Sequence, residues 1–308
     1  MSKYILRRAL GLIPTMFIIV TICFFFIRLA PGGPFSSEKK IDPQILKNIQ
    51  AKYHMDEPLM VQYVRYLGDV VRGDFGPSYK YKDYDVNFYI GRSLPKSLIL
   101  GTMALLIAVI MGMGAGMLSS LRQNTWVDYI SMSVAVVGIS VPLFVIAPVL
   151  MYIFAMQLNW LPVSGWINEK GLIALILPVF SLSLPYFATI ARLSRASFLE
   201  SLRSDYVRTA KAKGLKTSVI MFKHVLKGAS LPVVSYLGPA FSGIITGSIV
   251  IELIFRIPGM GRHFVQSAFN RDYTMIMGTV IVYSLFLVIM NFIVDILYGY
   301  LDPRISYK

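Results

Sequence analysis

The sequence has few charged residues and a single cysteine. Only 15% of its 308 residues are Asp, Glu, Lys or Arg, whereas a soluble domain carries about a quarter. The lone Cys23 cannot form an intrachain disulfide, and because it lies in an apolar run we expect it to pack as a small hydrophobic residue. With 56% hydrophobic residues, the composition indicates a polytopic, all-α integral membrane protein.

The sequence also lacks the short motifs of soluble enzymes. It contains no phosphate-binding GxxxxGK[ST], no HExxH and no GxSxG, and its three histidines lie far apart. A membrane-embedded hydrolase would need a nucleophile next to a base, and no such pair is evident. Serines such as Ser181, Ser183 and Ser242 are better suited to hydrogen bonds between helices. We therefore expect no catalytic residue, no metal site and no cofactor on this chain.

Six apolar runs are long enough to cross a hydrocarbon core of ~30 Å as helices. They cover approximately residues 9–27, 97–120, 131–157, 172–191, 232–254 and 275–298. The first run could instead be a cleaved signal, but it is too long, no A-x-A site follows it, and further spans come later. Pro142 and Pro148 lie inside the third run and predict a kink there.

Basic residues flank these runs unevenly. The four segments predicted to face the cytoplasm hold fifteen Lys and Arg, whereas the two short outer loops hold four. This asymmetry predicts that both termini are cytoplasmic. It also accounts for the net charge of +14 without a nucleic-acid partner, because cytoplasmic loops face anionic lipid.

The sequence divides into three predicted regions. Residues 1–30 form the cytoplasmic N-terminus and the first span, residues 31–96 a small external subdomain, and residues 97–308 a core that includes a cytoplasmic loop at 192–230. Within the external subdomain, Ile45–Tyr53 and Leu59–Val71 have apolar residues at helical spacing and predict short amphipathic helices.

Two pairs of glycines have the spacing that allows helices in a membrane to approach closely. Gly112 and Gly116 lie in the second span, and Gly243 and Gly247 in the fifth. We expect all four to pack against neighbouring helices.

Few ionisable residues lie within the predicted spans. Glu252 and Asp295 are near span ends, where we expect interfacial charge pairs with Arg256 and Arg304 rather than a proton relay. An ion-coupled secondary transporter or channel acting alone is the main alternative function, but it would more often show buried acids or matching broken helices. The chain therefore lacks a visible energy source of its own.

The basic segment, residues 205–231, lies between the fourth and fifth spans. It holds six Lys and Arg against one acid, Asp205. Asp205 suits the start of a short helix that runs through Thr209 to Lys213, and Gly214 permits the positive φ that ends it. A second helix is predicted from Lys216 to about Lys227, with an apolar stripe between Val219 and Leu226. From spacing alone, this stripe suits a lipid interface and a protein partner equally well.

Several blocks of the sequence resemble ABC-importer permeases of the oligopeptide, dipeptide and nickel branch. In the basic segment, Ala210, Gly214 and Leu226 match the family's EAA loop, whereas its Glu, first Ala, Ile and Pro are replaced. Further similar blocks run from one end of the chain to the other: LAPGGP at 29–34, GDFGPS at 73–78, LPVV at 231–234, ELIFRIPGMGR at 252–262, NRDY at 270–273 and LDPRI at 301–305. The B-type subunit of an oligopeptide importer is the most similar kind.

The resemblance implies a type I ABC importer permease fold in the bacterial inner membrane. The chain would translocate peptides by alternating access, as a heterodimer with a second, C-type permease. Two cytoplasmic ATPase subunits would hold ATP and Mg²⁺, and an external binding protein would deliver the peptide. The residues that would couple this chain to an ATPase subunit are Asp205, Arg208, Ala210, Lys213, Gly214, Leu215, Phe222 and His224.

Overall fold

A computed structural model describes residues 2–29, 33–34, 43–81 and 83–301. The described chain is helical, and its only β pairing there is an isolated bridge between Pro77 and Asp85. The helices are α1 (Ser2–Leu29), α2 (Pro43–Lys52), α3 (Leu59–Val71), α4 (Val86–Leu121), α5 (Trp126–Ser140), α6 (Leu143–Leu150), α7 (Ile167–Lys170), α8 (Ile176–Leu202), α9 (Asp205–Ala212), α10 (Thr217–Val219), α11 (Leu226–Ala229), α12 (Leu231–Ile254), α13 (Met260–Asn270) and α14 (Tyr273–Leu301). Two π-helices, Met151–Gln157 and Ile220–Val225, follow α6 and α10, and a 3₁₀ turn, Leu172–Leu175, precedes α8.

Five helices are long and apolar enough to cross a membrane, and a bent pair supplies a sixth span if it counts as one. The five cover Arg8–Leu29, Val86–Leu121, Leu172–Leu202, Leu231–Ile254 and Tyr273–Leu297. The bent pair is α5 with Leu143–Gln157. All six overlap the predicted apolar runs, so the all-helical, multi-span class is confirmed.

The third span is not the continuous helix that its apolar run suggests. It turns by 112° between Ser140 and Leu143. Proline disfavours the helical conformation in the residue before it, and Val141, which precedes Pro142, is extended at φ −96° and ψ 124°. Pro142 therefore causes a sharp break rather than a gentle kink, whereas Pro148 lies inside α6 just before the first π-helix.

Two helix boundaries and one predicted loop differ from the sequence prediction. α4 begins at Val86 rather than near residue 97, because the polar first turns around Arg92 continue the same helix. α8 continues past residue 191 to Leu202. One of the two short outer loops of the prediction, which spans residues 256–274, contains α13, an amphipathic helix that an apolar-run criterion cannot detect. The two short helices predicted before α4 are confirmed as α2 and α3.

The described chain forms two compact units. The larger unit contains Lys96–Pro258, together with the N-terminal residues up to Ala9 and the C-terminal residues from Leu287 onward. Its apolar core is centred on α8, which packs between α5 and α12. Leu100, Leu182, Ile244 and Ile251 are fully buried in that core.

The smaller unit contains Leu10–Pro95 and Gly259–Phe286. One apolar cluster joins Phe24, Tyr63 and Met277, and another joins Val86, Ile90, Met260 and Met275. The buried carboxylate of Asp272 ties the start of α14 to the loop after α3, because it accepts hydrogen bonds from the Ser78 hydroxyl and the Tyr79 amide.

Candidate coupling site

The basic segment folds as two short helices joined at a glycine. α9 begins at Asp205, whose charge lies in the first helical turn, where it favours the helix dipole. Gly214 has φ +74°, the left-handed conformation that glycine adopts readily. Its amide donates to Lys211 O (2.9 Å), which closes the end of α9. The positive φ expected at Gly214 is present.

The second helix of the basic segment contains the π-helix Ile220–Val225. A π turn brings residues five apart onto one side, and Ile220 and Val225 are both buried. Phe222 is 63% exposed. A search for 3.6-residue periodicity cannot detect this wider turn, so the sequence predicted one apolar stripe.

The inner face of the basic segment anchors it to the spans. Val207, Ala210, Met221 and their neighbours form a buried cluster with Phe198 of α8. Met117 of α4 and Leu202 of α8 pack against the same cluster. Ala210, which the resemblance predicts to be a coupling residue, lies on this inner face.

The outer face carries exposed apolar side chains among basic ones. Phe222 is accompanied by Leu215 and Val219, each 39% exposed. Asp205 and Arg208 are also exposed and form an ion pair at 3.3 Å. Lys213 is exposed, and His224 is half-buried. The predicted coupling residues thus divide between an inner anchoring face and an outer face that consists of Leu215, Val219, Phe222 and the surrounding basic residues.

A buried ion pair ties three spans together near the basic segment. The Arg195 Nε and Nη2 atoms of α8 donate to the two carboxylate oxygens of Asp128 in α5, each at 2.7 Å. Ser119 of α4 donates to the same carboxylate, and so does the Asn124 amide (3.0 Å). Asn124 has φ +61°, so the tight turn between α4 and α5 points that amide at Asp128. No sequence pattern indicates this pair, because Asp128 and Arg195 are far apart along the chain.

The glycine pairs lie at close helix contacts. A Cβ atom on Gly112 would lie 2.8 Å from Ile190 Cγ2, and one on Gly116 would lie 2.5 Å from Ser194 Cβ. On α12, a Cβ atom on Gly243 would lie 2.6 Å from the Tyr186 hydroxyl, whereas one on Gly247 would meet ordinary contacts at 3.5 Å. Gly112 and Gly116 therefore have no room for a side chain, because backbone atoms of α8 are among their neighbours, whereas at Gly243 the Tyr186 side chain would have to move.

The two acids near span ends both contact polar side chains of the described chain. Glu252 is fully buried and accepts hydrogen bonds from Ser97 (2.6 Å) and Ser248 (3.2 Å). Asp295 pairs with Arg8 at 3.1 Å, and the expected partner Arg304 lies outside the described residues.

Two family models match the chain. The model described as "Binding-protein-dependent transport system inner membrane component" matches residues 104–307. The model for the N-terminal part of such membrane components matches residues 1–85.

Known relatives match over the whole length. The chain is 52% identical to the oligopeptide transport system permease protein OppB of Salmonella typhimurium, with both chains covered completely. It is 45% identical to the dipeptide transport system permease protein DppB of Bacillus subtilis, over 99% of this chain and 98% of that one.

The fold is also similar to a solved structure of the inward-facing MetNI methionine ABC transporter. The TM-score is 0.59 at 16% identity, covering 70% of this chain and 97% of the matched chain.

Proposed function

The chain belongs to the inner membrane components of binding-protein-dependent transport systems, and from that premise we propose that it forms half of the channel of an ATP-driven oligopeptide importer. Membership of this family implies an ATPase and a partner permease. The relatives' names support peptides as the substrate class. The length and sequence of the peptides would depend largely on the binding protein.

In this proposal the energy comes from other subunits. The chain pairs with a C-type permease, and two ATPase subunits bind ATP and Mg²⁺ on the cytoplasmic side, where both termini also lie. This chain performs no catalysis. An external binding protein delivers the peptide, and the predicted external subdomain, residues 31–96, helps to receive it.

The observation that carries the proposal is the two-sided basic segment. Its inner face is buried against α8 and α4, while Phe222 and Leu215 on its outer face stay exposed. A large exposed aromatic residue surrounded by basic side chains is typical of a protein interface. The outer face is therefore the proposed docking surface for an ATPase subunit.

The same geometry supplies a route for movement. The buried cluster joins the basic segment to α8, and the Asp128–Arg195 pair joins α8 to α5. Closure of the ATPase subunits would thus move α8 and α5 together. The break at Pro142 would let the second half of the third span respond separately. Alternating access then follows from two discrete packings of these helices.

Charged substitutions on the outer face test the docking surface. We expect Phe222→Asp and Leu215→Asp each to abolish co-purification of the ATPase subunits, because a carboxylate would be desolvated in an apolar contact. Phe269→Asp is the matched control, since Phe269 is 83% exposed but lies on α13. Retention of the ATPase subunits by both outer-face variants would contradict the proposal.

Substitutions at Gly214 test coupling separately from docking. A Cβ atom added at Gly214 would meet open space. Only the positive φ of this residue therefore disfavours a larger side chain. We expect Gly214→Val to reduce ATP-driven uptake while the protein still inserts, and Gly214→Asn to retain most of it, because asparagine tolerates this conformation. Equal uptake by the valine variant and the unmodified chain would contradict this role.

A further inference from the structure

The smaller unit contains a cavity that the transport mechanism above does not use. Its volume is about 310 Å³. The residues lining it include Arg28 of α1, Gln62 and Tyr66 of α3, Tyr79 of the following loop, and Tyr273 and Met277 of α14. A water molecule occupies about 30 Å³ of liquid, so the cavity has room for more than ordered water.

Arg28 enters this cavity without a carboxylate partner. Its guanidinium lies over the Phe24 ring, 3.6 Å from the centroid. Its Nε donates to Gln62 Oε1 (3.2 Å), and its Nη1 lies 3.8 Å from the Met277 sulfur. Among the described residues no acid forms an ion pair with Arg28. The remaining N–H groups, including those on Nη2, have no protein acceptor there.

Two acids of the smaller unit bind other groups, and a third, Asp69, lines the cavity but forms no ion pair with Arg28 among the described residues. Asp272 is fully buried and accepts hydrogen bonds from Ser78, Thr274 and two backbone amides. Glu57 accepts from Arg65 at 2.9 Å. Gln62 is held in place because its amide donates to Met55 O (3.2 Å) and Glu57 O (2.8 Å). The orientation of Arg28 is therefore fixed before any ligand arrives.

Tyr66 adds a second group without a partner. Its hydroxyl oxygen is fully buried and forms no hydrogen bond. Burial raises the pKa of Tyr66 well above its usual range, although the nearby Arg28 opposes this rise. Tyr66 therefore stays protonated, and its hydroxyl can donate a hydrogen bond to an acceptor in the cavity.

An unpaired, partly desolvated guanidinium and a buried unpaired hydroxyl both destabilise the empty protein. One ligand group satisfies both: an anion with two acceptor oxygens. A planar carboxylate matches the two parallel N–H groups of arginine. The tyrosines of the wall suit the apolar body of a peptide behind that carboxylate.

We propose that this cavity binds the C-terminal carboxylate of a peptide, with Arg28 as the charged ligand and Tyr66 as a hydrogen-bond donor. The peptide nature of the ligand rests on the proposed function. The carboxylate chemistry rests only on the cavity. The Arg28 side chain turns into the protein, where it contacts Gln62 and Phe24, and the sequence alone did not point to this site.

Equilibrium binding to the purified full-length chain in nanodiscs tests the proposal without transport or ATP. The probes are trialanine with a free C-terminal carboxylate and trialanine amide. We expect the free acid to bind at least about tenfold more tightly, as a charge-assisted hydrogen bond implies. Arg28→Gln should remove this preference, and Tyr66→Phe should reduce it a few-fold. Arg72→Gln, an exposed cation beyond the end of α3, should leave it unchanged.

Three outcomes would overturn the proposal. The first is equal affinity of the unmodified chain for acid and amide. The second is an equal loss for both peptides in Arg28→Gln. The third is displacement of the bound ligand by anionic phosphatidylglycerol but not by trialanine. That result would assign the cavity to a lipid phosphate. If Arg28→Gln fails to fold, Arg28→Lys keeps the charge without the paired N–H groups and should weaken the preference. Failure of the ATPase co-purification test would leave this binding result interpretable.

Discussion

Gly116 shows how a single missing side chain sets the distance between two spans. A Cβ atom there would lie 2.5 Å from Ser194 Cβ and 2.7 Å from the Ala191 carbonyl oxygen. Backbone atoms cannot move away as a flexible side chain could, so α4 and α8 would have to separate. Their separation would disturb the Asp128–Arg195 pair, because Arg195 follows Ser194 and Ser119 lies one helical turn after Gly116.

We therefore expect Gly116→Ala to destabilise the protein by about 1–3 kcal/mol, the range for overpacking a tight contact. Gly114 is the matched control, since a Cβ atom there meets open space. Gly114→Ala should be neutral or slightly stabilising because alanine favours helices. Thermal unfolding in detergent measures the stability of both variants. An equal unfolding midpoint for the two would contradict the conclusion that the close contact at Gly116 leaves no room for a Cβ atom.

Single residues also show where sequence reasoning succeeds and fails. The spacing of Gly112 and Gly116 predicted close packing, and both lie against α8, because a small-residue pair has few other uses in a membrane helix. The motif position of Ala210 predicts a coupling residue, and the structure adds that its side chain is buried on the inner face of the segment. A motif match identifies a position but not the face on which it lies.

At the scale of whole elements, helix existence was predictable and helix geometry was not. Apolar length locates a span, but only the pairing of Val141 with Pro142 sets the 112° turn within the third span. The π-helix Ile220–Val225 similarly divides an apolar stripe into a buried face and an exposed one. Apolar periodicity reports neither the turn nor the π-helix, because both are departures of the backbone from a regular α-helix.

The Asp128–Arg195 pair is a two-pronged polar link between α5 and α8 in the larger unit. The Asp128 side chain is 4% exposed and that of Arg195 is 27% exposed. Removal of one member of a buried pair leaves an uncompensated charge, whereas removal of both is far milder. The pair therefore stabilises the contact of α5 with α8 only when it is complete.

We expect Asp128→Asn to destabilise the protein by about 3 kcal/mol and to reduce uptake more than it reduces ATP hydrolysis by the complex. The double variant Asp128→Leu with Arg195→Met should recover much of the stability. Asp205→Asn breaks the exposed pair with Arg208 and serves as the control, with an unchanged unfolding midpoint. Stability and coupling that survive Asp128→Asn unchanged would show that this link does not transmit movement.

At the scale of the whole molecule, burial is distributed unevenly among the spans. In the most apolar part of Leu172–Leu202, 61% of residues are buried, compared with 11% in Arg8–Leu29. α1 instead exposes Ile13 and Phe26, which suits lipid. Composition alone predicted a multi-span membrane protein, but the central place of α8 emerges only from tertiary contacts. The sequence likewise could not reveal the Arg28 cavity, whose walls come from distant segments.

The energy source distinguishes the proposed importer from an ion-coupled transporter acting alone. The buried acids of the described spans are held by other side chains, Asp128 by Arg195 and Glu252 by Ser97 and Ser248, which favours structural roles over proton carriage. We expect vesicles containing only this chain to show no peptide uptake under a proton or sodium gradient. Vesicles with the partner permease, ATPase subunits and binding protein should take up peptide only with ATP, and an ionophore that collapses the gradient should not change the rate. Gradient-driven uptake by the chain alone would identify an ion-coupled transporter instead.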